Sequence, residues 1–383
     1  MNKIQELIEK LCPEGVEYAS IGSLIKRIKE KGKDYTDIDI VYSVSNKEGI
    51  VKSSEYRENE IHSEDTSNYT VIREGMFAYN PSRLNIGSIA WLKTDECGLV
   101  SPMYIVFDID RNRIKEEFLM ELIRTDKIKN KIDSLKESGA RFRFDFERWN
   151  WIKIPLPPVE IQDEIIKILN KFKELTAELT AELTARKKQY EHYRDELLTF
   201  GHETHLVSID SICDITTGGE PPSDCIKGEE YNETHPYAVW GNGKEIYGYS
   251  GTYKIDKDAV VISSIGANTG AVYFRKAFFT PIIRLKVLVP KVENVDVKYL
   301  FYALSATEIK SKSSSVPNMN ASEIKKIQIP LPSLEEQQRI VDILDRFDKL
   351  CNDISEGLPA EIEARQKQYE YYRDKLLTFK EKA

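Results

Sequence analysis

Residues 185–200 read ARKKQYEHYRDELLTF, and residues 364–379 read ARQKQYEYYRDKLLTF. The two stretches are identical at 13 of their 16 positions. Each is preceded by the pattern Ile-x-Ile-Pro-Leu-Pro, at 152–157 and again at 327–332. Chance does not produce such a match, so the chain contains an internal repeat, and the repeat predicts its domain boundaries. A duplicated chain suits a target that itself has two halves.

Four regions follow from the repeat. They are a first globular domain at 1–151, a repeated helical region at 152–201, a second globular domain at 202–326 and a second helical region at 327–383. Both globular domains carry a Gly-rich β segment, then an apolar strand (103–108 or 282–289), then a helix (115–123 or 297–304). Short β-branched and aromatic runs cut by Gly and Asn indicate short, twisted strands. The predicted fold class is therefore α+β.

Two long helices are predicted, from 159 to 200 and from 334 to about 380. Their apolar residues recur at spacings of three and four, as in Ile161, Ile165 and Leu169. Such stripes favour two helices that pack as an antiparallel coiled coil and relate the halves by a pseudo-twofold axis. Residues 176–183 are a tandem of Thr-Ala-Glu-Leu. Because four residues turn a helix by about 400° and lengthen it by about 6 Å, the tandem is interpreted as a length-setting element.

Composition indicates a folded protein with mixed charge. The 383 residues are 41% hydrophobic and 31% charged, with a net charge of −8. No apolar run reaches the roughly 18 residues that span a bilayer, and the acidic, amphipathic N-terminus differs from a signal peptide. We therefore expect a cytoplasmic protein. The five separate cysteines form no CxxC pair and predict no zinc site or disulfide framework.

Motifs for catalysis are missing from the sequence. Residues 79–83, YNPSR, lack the second proline and the aromatic residue of an adenine methyltransferase loop. Residues 241–244, GNGK, lack the spacing of a phosphate-binding loop, and His202 and His205 have no cysteine cluster nearby. These segments are interpreted as turns and a solvated linker.

The repeated motifs resemble those of the specificity subunit of type I restriction-modification systems. The resemblance covers essentially the whole chain and rests on 154–157, 160–162 and 189–200 and their copies at 329–332, 335–337 and 368–379. It implies a non-catalytic subunit whose two target recognition domains each read one half of a bipartite, asymmetric site in double-stranded DNA. The helices, which include the tandem, would set the gap between the half-sites.

The resemblance also implies partners and cofactors. Two methyltransferase subunits and two motor-nuclease subunits would join the chain, and S-adenosylmethionine, ATP and magnesium would bind in those partners. The complex would be an adenine-N6 DNA methyltransferase and an ATP-dependent type I deoxyribonuclease. No metal or cofactor is expected in this chain. Two alternatives stay open: the specificity partner of a fused methyltransferase-nuclease, and a coiled-coil scaffold that binds no DNA, which the acidic balance favours slightly.

Base reading needs Arg, Lys, Asn, Ser or Thr on loops, and phosphate contacts need cations and exposed backbone. The candidates in the first domain are Ser43, Ser45, Asn46, Lys47, Asn80, Ser82, Arg83, Asn85, Arg141 and Arg143. Those in the second are Thr217, Gly218, Gly219, Ser223, Trp240, Asn242, Ser263, Ser264, Asn268, Thr269, Asn318 and Asn320. Near-identical side chains in the two repeats are predicted to bind two copies of one partner: Tyr190, Tyr193, Arg194, Tyr369, Tyr372 and Arg373.

Overall fold

The computed structural model describes residues 2–35, 37–46, 48–56, 65–135, 142–200, 204–228, 230–307, 319–353 and 355–382. Its α-helices are α1 Asn2–Leu11, α2 Ser53–Tyr56, α3 Glu116–Ile123, α4 Asp126–Ser134, α5 Val159–Leu197, α6 Ile209–Ile212, α7 Val297–Ala306, α8 Ala321–Ile324, α9 Leu334–Asn352 and α10 Leu358–Leu376. Its strands are β1 Glu17–Ser20, β2 Ile25–Ile28, β3 Val41–Ser45, β4 Gly49–Lys52, β5 Thr70–Ile72, β6 Phe77–Tyr79, β7 Ile89–Trp91, β8 Gly98–Val100, β9 Ile105–Ile109, β10 Lys153–Leu156, β11 Leu206–Ser208, β12 Cys213–Thr217, β13 Ile226–Lys227, β14 Tyr237–Trp240, β15 Gly248–Ser250, β16 Ala259–Ile262, β17 Val272–Arg275, β18 Phe279–Pro281, β19 Lys286–Pro290 and β20 Gln328–Pro330.

The chain forms two compact units. The first unit consists of Met1–Glu178 and Glu363–Ala383, and the second unit consists of Leu179–Ile362. Each unit therefore combines one globular domain with parts of both repeated helical regions. These units cut across the four regions that the sequence pattern predicts, because α5 and α10 each contribute residues to both units.

The two globular domains share the topology of one sheet and a parallel strand pair in the other sheet, which agrees with their predicted relationship. The first unit has four-stranded sheets in the orders β2-β9-β6-β7 and β4-β3-β8-β5, and the second has β12-β19-β16-β17 and β13-β15-β14-β18. In each unit the second sheet contains one parallel pair, β3 with β8 or β14 with β18. A two-stranded antiparallel sheet, β1 with β10 or β11 with β20, links the start of the domain to the Ile-Pro-Leu-Pro segment.

The apolar stripes of the long helices are buried against the globular domains. In the first unit Ile161, Ile165 and Leu169 are fully buried in one cluster with Phe107 and Trp149. Burying such an aliphatic side chain contributes roughly 1.5–3 kcal/mol. In the second unit α9 buries its own apolar residues, Ile340 among them, in the same way. The stripe therefore packs mainly on the globular domain, where α9 contacts α7, and farther along α5 Leu175 is 47% exposed.

A glutamine at the start of each long helix bonds three backbone groups from two segments. The side chain of Gln162 is fully buried, and its Nε2 donates to the carbonyl oxygens of Arg113 and Pro157, both at 2.8 Å. Its Oε1 accepts from the backbone N–H of Lys115 at 3.0 Å. Buried backbone polar groups must find partners, and this side chain supplies three. The Glu-x-Gln pattern of the repeat is thus a structural connector.

The second repeated region contains a break that the sequence prediction missed. A single helix from 334 to about 380 was expected, but α9 ends at Asn352 and α10 begins at Leu358. Between them Asp353 Oδ1 accepts hydrogen bonds from the backbone N–H of Ser355 at 2.7 Å and from its hydroxyl at 2.6 Å. A side chain that bonds nearby backbone competes with the helical pattern. A Cβ at Gly357 would lie 2.6 Å from the Lys349 carbonyl oxygen, so glycine is needed at the junction.

The long helices pack antiparallel inside each unit, as predicted. In the first unit the Tyr372 ring of α10 stacks on Phe172 of α5 at 5.3 Å, while Lys382, beyond the end of α10, and Val159, the first residue of α5, line one groove. In the second unit a groove of about 630 Å³ is lined by residues between 189 and 200 and by residues of α9 between 336 and 347. Aromatic side chains make these helix–helix contacts, and such pairs add stabilisation beyond their buried area.

Candidate DNA interface

A cavity of about 630 Å³ in the first unit has a strongly basic lining. Its cations are Arg27, Lys29, Lys31, Arg83 and Arg143, and no Asp or Glu is among the lining residues that the structure describes. We call it the cationic cavity. Since the whole chain carries a net charge of −8, these cations are concentrated on one surface. A concave basic surface attracts phosphate groups.

Strand β2 and its continuation supply three of these cations. Side chains alternate between the two faces of a strand, so Arg27, Lys29 and Lys31 follow one face. Lys31 is fixed by hydrogen bonds from its Nζ to Asn68 O at 3.0 Å and to Thr70 Oγ1 at 3.2 Å. None of these three cations is among the residues that the sequence pattern predicts to contact DNA. The alternation within residues 26–31, KRIKEK, is the signal that could have found them.

The loop after β6 brings predicted residues to the cavity. Asn80 is only 6% exposed, and its Oδ1 accepts from the backbone N–H of Ser82 at 2.9 Å. Its role is to shape the turn, and its burial leaves little of it for base contact. Ser82 and Arg83 are exposed and line the cavity. Arg143 also lines it and forms an ion pair with Asp145 at 3.2 Å.

The other first-domain candidates lie around β3 and the loop after β6. The Ser43 hydroxyl is 2.9 Å from that of Ser53, and Ser45 is 6% exposed, so both have structural contacts. Asn46 is exposed and donates to the Ile86 carbonyl oxygen at 2.8 Å, while Asn85 is exposed in the same loop. Lys47 and Arg141 lie outside the described residues.

In the second unit, several candidates turn out to support one turn. Ser263 and Ser264 are fully buried, which contradicts the expectation that they contact bases. The Ser263 hydroxyl donates to Asn242 O, and that of Ser264 donates to Arg284 O, both at 2.7 Å. The side chain of Asn242 accepts from Ser264 N at 2.7 Å and donates to Ile283 O. These groups hold the segment 282–285, which the sequence pattern had placed inside a strand.

The glycine pair after β12 supports the same segment. Gly218 donates from its N–H to Leu285 O at 2.8 Å, and a Cβ on it would lie 2.7 Å from Ile282 N. The Gly219 carbonyl oxygen accepts from Ile283 N at 2.8 Å. Close backbone approach therefore explains the glycine at 218. Thr217 is exposed and accepts from Lys286 Nζ at 3.1 Å.

Trp240 is covered by an arginine. The guanidinium carbon of Arg275 lies 3.7 Å from the Trp240 ring centroid and 4.8 Å from that of Tyr273. This is cation–π geometry. Burial lowers the pKa of Arg275 to about 10, so the side chain stays charged at neutral pH. One face of the Trp240 ring is consequently occupied within the chain.

The remaining second-domain candidates differ in exposure. Ser223 and Asn268 are exposed, and Thr269 donates from its hydroxyl to Gly266 O at 2.7 Å. Asn320 is the N-cap of α8 in a capping box with Glu323. Asn318 lies outside the described residues. Direct DNA contact by these side chains stays a prediction.

The side chains proposed for partner binding make contacts inside each unit. In the second unit the Tyr190 and Tyr193 rings lie 6.4 and 5.7 Å from the Phe347 ring, and Arg194 pairs with Asp195. Burial, followed by the nearby Asp348 carboxylate, raises the pKa of Tyr190 to about 12. Partner contact by these three residues stays a prediction.

Their counterparts in the first unit are less accessible. Tyr369 is 8% exposed and donates from its hydroxyl to the carboxylate of Glu121, which Lys173 also contacts at 2.6 Å. Burial, followed by this carboxylate, raises the pKa of Tyr369. Arg373 is 6% exposed. Tyr369 and Arg373 are therefore buried within the first unit, which contradicts the expectation of an open docking face, whereas Tyr372 is less buried.

The comparisons with known proteins agree with this arrangement. The family model of the type I restriction modification DNA specificity domain matches residues 13–186 and 202–364. The chain is 34% identical to the specificity subunit of the type I restriction enzyme EcoR124I/EcoR124II of Escherichia coli over 76% of this chain and 77% of that one. It is 36% identical to a type I specificity subunit of Mycoplasma pneumoniae over 60% of this chain and 72% of that one.

Solved structures share the fold. The HsdS subunit of Thermoanaerobacter tengcongensis has a TM-score of 0.53 at 20% identity, with 96% of this chain and 97% of that chain covered. The S subunit of a type I system from M. genitalium has a TM-score of 0.57 at 15% identity, with 95% and 96% covered. This chain belongs to the family of type I restriction-modification specificity subunits, and it is a DNA sequence-recognition subunit. No helix among the described residues is long and apolar enough to cross a membrane.

Proposed function

We propose that each unit of this chain reads one half of a bipartite, asymmetric DNA site within a type I restriction-modification complex. The observation that carries the proposal is the cationic cavity of the first unit. Its five cations and its lack of lining carboxylates suit the phosphate backbone of a duplex. The exposed Ser82 and Arg83 at its rim are of the types that read base edges.

The repeated architecture supports a symmetric set of partners. Two units that share the order of one sheet and have antiparallel helices can offer similar surfaces to two methyltransferase subunits. Motor-nuclease subunits would join that assembly. In this proposal the chain is not catalytic, the complex works in the cytoplasm, and S-adenosylmethionine, ATP and magnesium bind in the partner subunits.

Methylation mapping tests the proposal. The chain is purified with the methyltransferase encoded next to it, and the methylated sites are sequenced. We expect a split, asymmetric site. A continuous palindrome or methylation without sequence dependence would refute the proposal. Neighbouring genes distinguish the fused-enzyme alternative, because separate motor and methyltransferase genes indicate a type I system.

The cationic cavity is tested by Lys29→Ala in the same complex. Each lost phosphate contact reduces the slope of log affinity against log salt by about 0.9. Lys10→Ala on α1 is the matched control, since Lys10 is exposed and outside the cavity. Equal binding and equal salt slopes for the two variants would contradict the role of the cavity. A flat salt response in the unmodified complex would instead favour the protein scaffold.

The spacing role of the tandem at 176–183 has its own test. Helix α5 runs without interruption through these residues. One further Thr-Ala-Glu-Leu after Leu183 adds about one turn, so we expect a wider gap between unchanged half-sites. Inserting only Thr-Ala rotates the following residues by about 200° and should abolish specific methylation. Altered half-site sequences after the four-residue insertion would refute the spacing role.

A further inference from the structure

The turn at Ile283 and Arg284 has strained backbone. Ile283 has φ 51° and Arg284 has φ 60°, both in the left-handed region. For a β-branched residue this is a genuine outlier, and such strain persists only where the surroundings impose it. Both side chains are exposed, Ile283 to 42%. The strain therefore does not serve to bury an apolar side chain.

The surroundings do impose this conformation. Ile283 donates from its N–H to Gly219 O at 2.8 Å, and Arg284 donates to Gly218 O at 3.0 Å. The carbonyl oxygens of the two turn residues accept from the Asn242 side chain and from the Ser264 hydroxyl. Four hydrogen bonds thus fix the turn and leave only its two side chains free. Such support preorganises a contact residue.

The strand registers show what the turn corresponds to in the first unit. Tyr79 pairs with Ile105 there, and Ile262 pairs with Lys286 in the second unit. Two hydrogen bonds confirm the match. Phe144 N–H donates to the carbonyl oxygen of Pro81, two residues after Tyr79, and Met319 N–H donates to the carbonyl oxygen of Ser264, two residues after Ile262. Counting back two residues from Ile105 and Lys286 aligns Met103 with Arg284. Met103 is 56% exposed and lines the cationic cavity.

The cations are distributed differently in the two units. By the same register, β12 and its continuation place Ile215, Thr217 and Gly219 where the first unit has Arg27, Lys29 and Lys31. The second unit therefore lacks the three strand cations of the cavity. It has Arg284 on the turn instead, and Arg284 forms no ion pair with any residue that the structure describes. Lys286 behind it is 9% exposed and bonded to Thr217, so it is not free to reach a ligand.

We infer that the Ile283–Arg284 turn is the base-reading tip of the second unit, with Arg284 reading a guanine edge in the major groove. An arginine fork contacts guanine O6 and N7 in a bidentate manner, and this is the commonest specific contact to a base. Ile283 packs beside it against the groove. The inference rests on the proposed function and adds a residue that the loop patterns of the sequence did not indicate.

The test compares Arg284→Ala, Arg284→Lys and the control Lys276→Ala in the complex with the methyltransferase. Lys276 is exposed and directly follows β17. It lies at the far end of the β16–β17 pair from Ser263. Methylation rates are measured on the mapped site and on sites with single base changes in each half. We expect Arg284→Ala to reduce discrimination about 5- to 150-fold at one guanine of one half-site and to leave the other half-site unchanged. Lys276→Ala should match the unmodified complex.

Arg284→Lys separates base reading from phosphate binding. The lysine keeps the charge but lacks the planar fork, so we expect discrimination at that guanine to fall here also. A uniform loss over all sites in Arg284→Ala, rescued by lysine, would overturn the inference and assign Arg284 to phosphate. An unchanged profile in Arg284→Ala would overturn it as well while leaving the proposed function intact. Failure of the proposed function would be recognised separately, by a lack of any split site in the unmodified complex. Circular dichroism of each variant complex verifies that it is folded.

Discussion

Replacing Gln337 by alanine should destabilise the second unit strongly. Gln337 is fully buried, and its Nε2 donates to Asn294 O and to Pro332 O, both at 2.9 Å. Its Oε1 accepts from Asp296 N at 2.8 Å. Three hydrogen bonds disappear together, each with a net contribution of about 1 kcal/mol. The greater helix propensity of alanine offsets only a few tenths of a kcal/mol of this loss. We therefore expect a decrease of about 3 kcal/mol in the free energy of unfolding.

Thermal unfolding followed by calorimetry measures the effect. For a unit of this size a loss of about 3 kcal/mol lowers Tm by about 6–12 °C. Gln338→Ala is the matched control, because it is the same substitution one position later on α9 at an exposed site. Its one hydrogen bond, to Asp342, is exposed, and a change within about 0.5 kcal/mol is expected. If the two variants unfolded at the same temperature, the connector role of the buried glutamine would be wrong.

Two tyrosine substitutions, each with an exposed tyrosine as its control, test the helix contacts. Tyr369→Phe leaves the buried carboxylate of Glu121 without one donor, so we expect the first unit to lose about 2 kcal/mol in chemical denaturation. Tyr371 is 62% exposed, so Tyr371→Phe should change the free energy of unfolding by less than about 0.5 kcal/mol. Equal losses in the two variants would contradict the contact between Tyr369 and Glu121. Burial raises the pKa of Tyr190 to about 12. The neutral side chain therefore makes its full contribution to the free energy of unfolding below about pH 10, and this contribution is lost as the pH rises towards 12. Tyr190→Phe should shift alkaline unfolding of the second unit to higher pH, whereas Tyr231→Phe, 65% exposed, should not; identical curves would refute this reasoning.

Local periodicity predicted the helices well. The start of α5 at Val159 and the α3 and α7 helices agree with the sequence patterns to within a few residues. These features depend on spacing within a few residues, which the sequence displays directly.

The candidate interface was harder to predict because polar residue type does not reveal burial. Asn80, Ser263 and Ser264 have the right chemistry for base contact, yet each is buried and bonded to backbone. Arg284 was overlooked because it lies in an apolar run that was interpreted as one strand. The left-handed Ile283–Arg284 turn depends on hydrogen bonds with Ser264, Asn242, Gly219 and Gly218, about 20 to 65 positions away, and the local sequence pattern does not indicate them.

The sequence by itself determined the repeat, the α+β class, the first long helix and the family. This was possible because a duplication and a helical spacing of apolar residues can both be recognised from the order of residues alone. Only the tertiary structure decided which globular domain each repeated helix end packs on, since residues 185–200 and 364–379 are nearly identical. Their surroundings differ: Tyr369 meets the Glu121 carboxylate, and Tyr190 packs by Phe347. Contacts between segments distant in sequence, rather than the segments themselves, make that distinction.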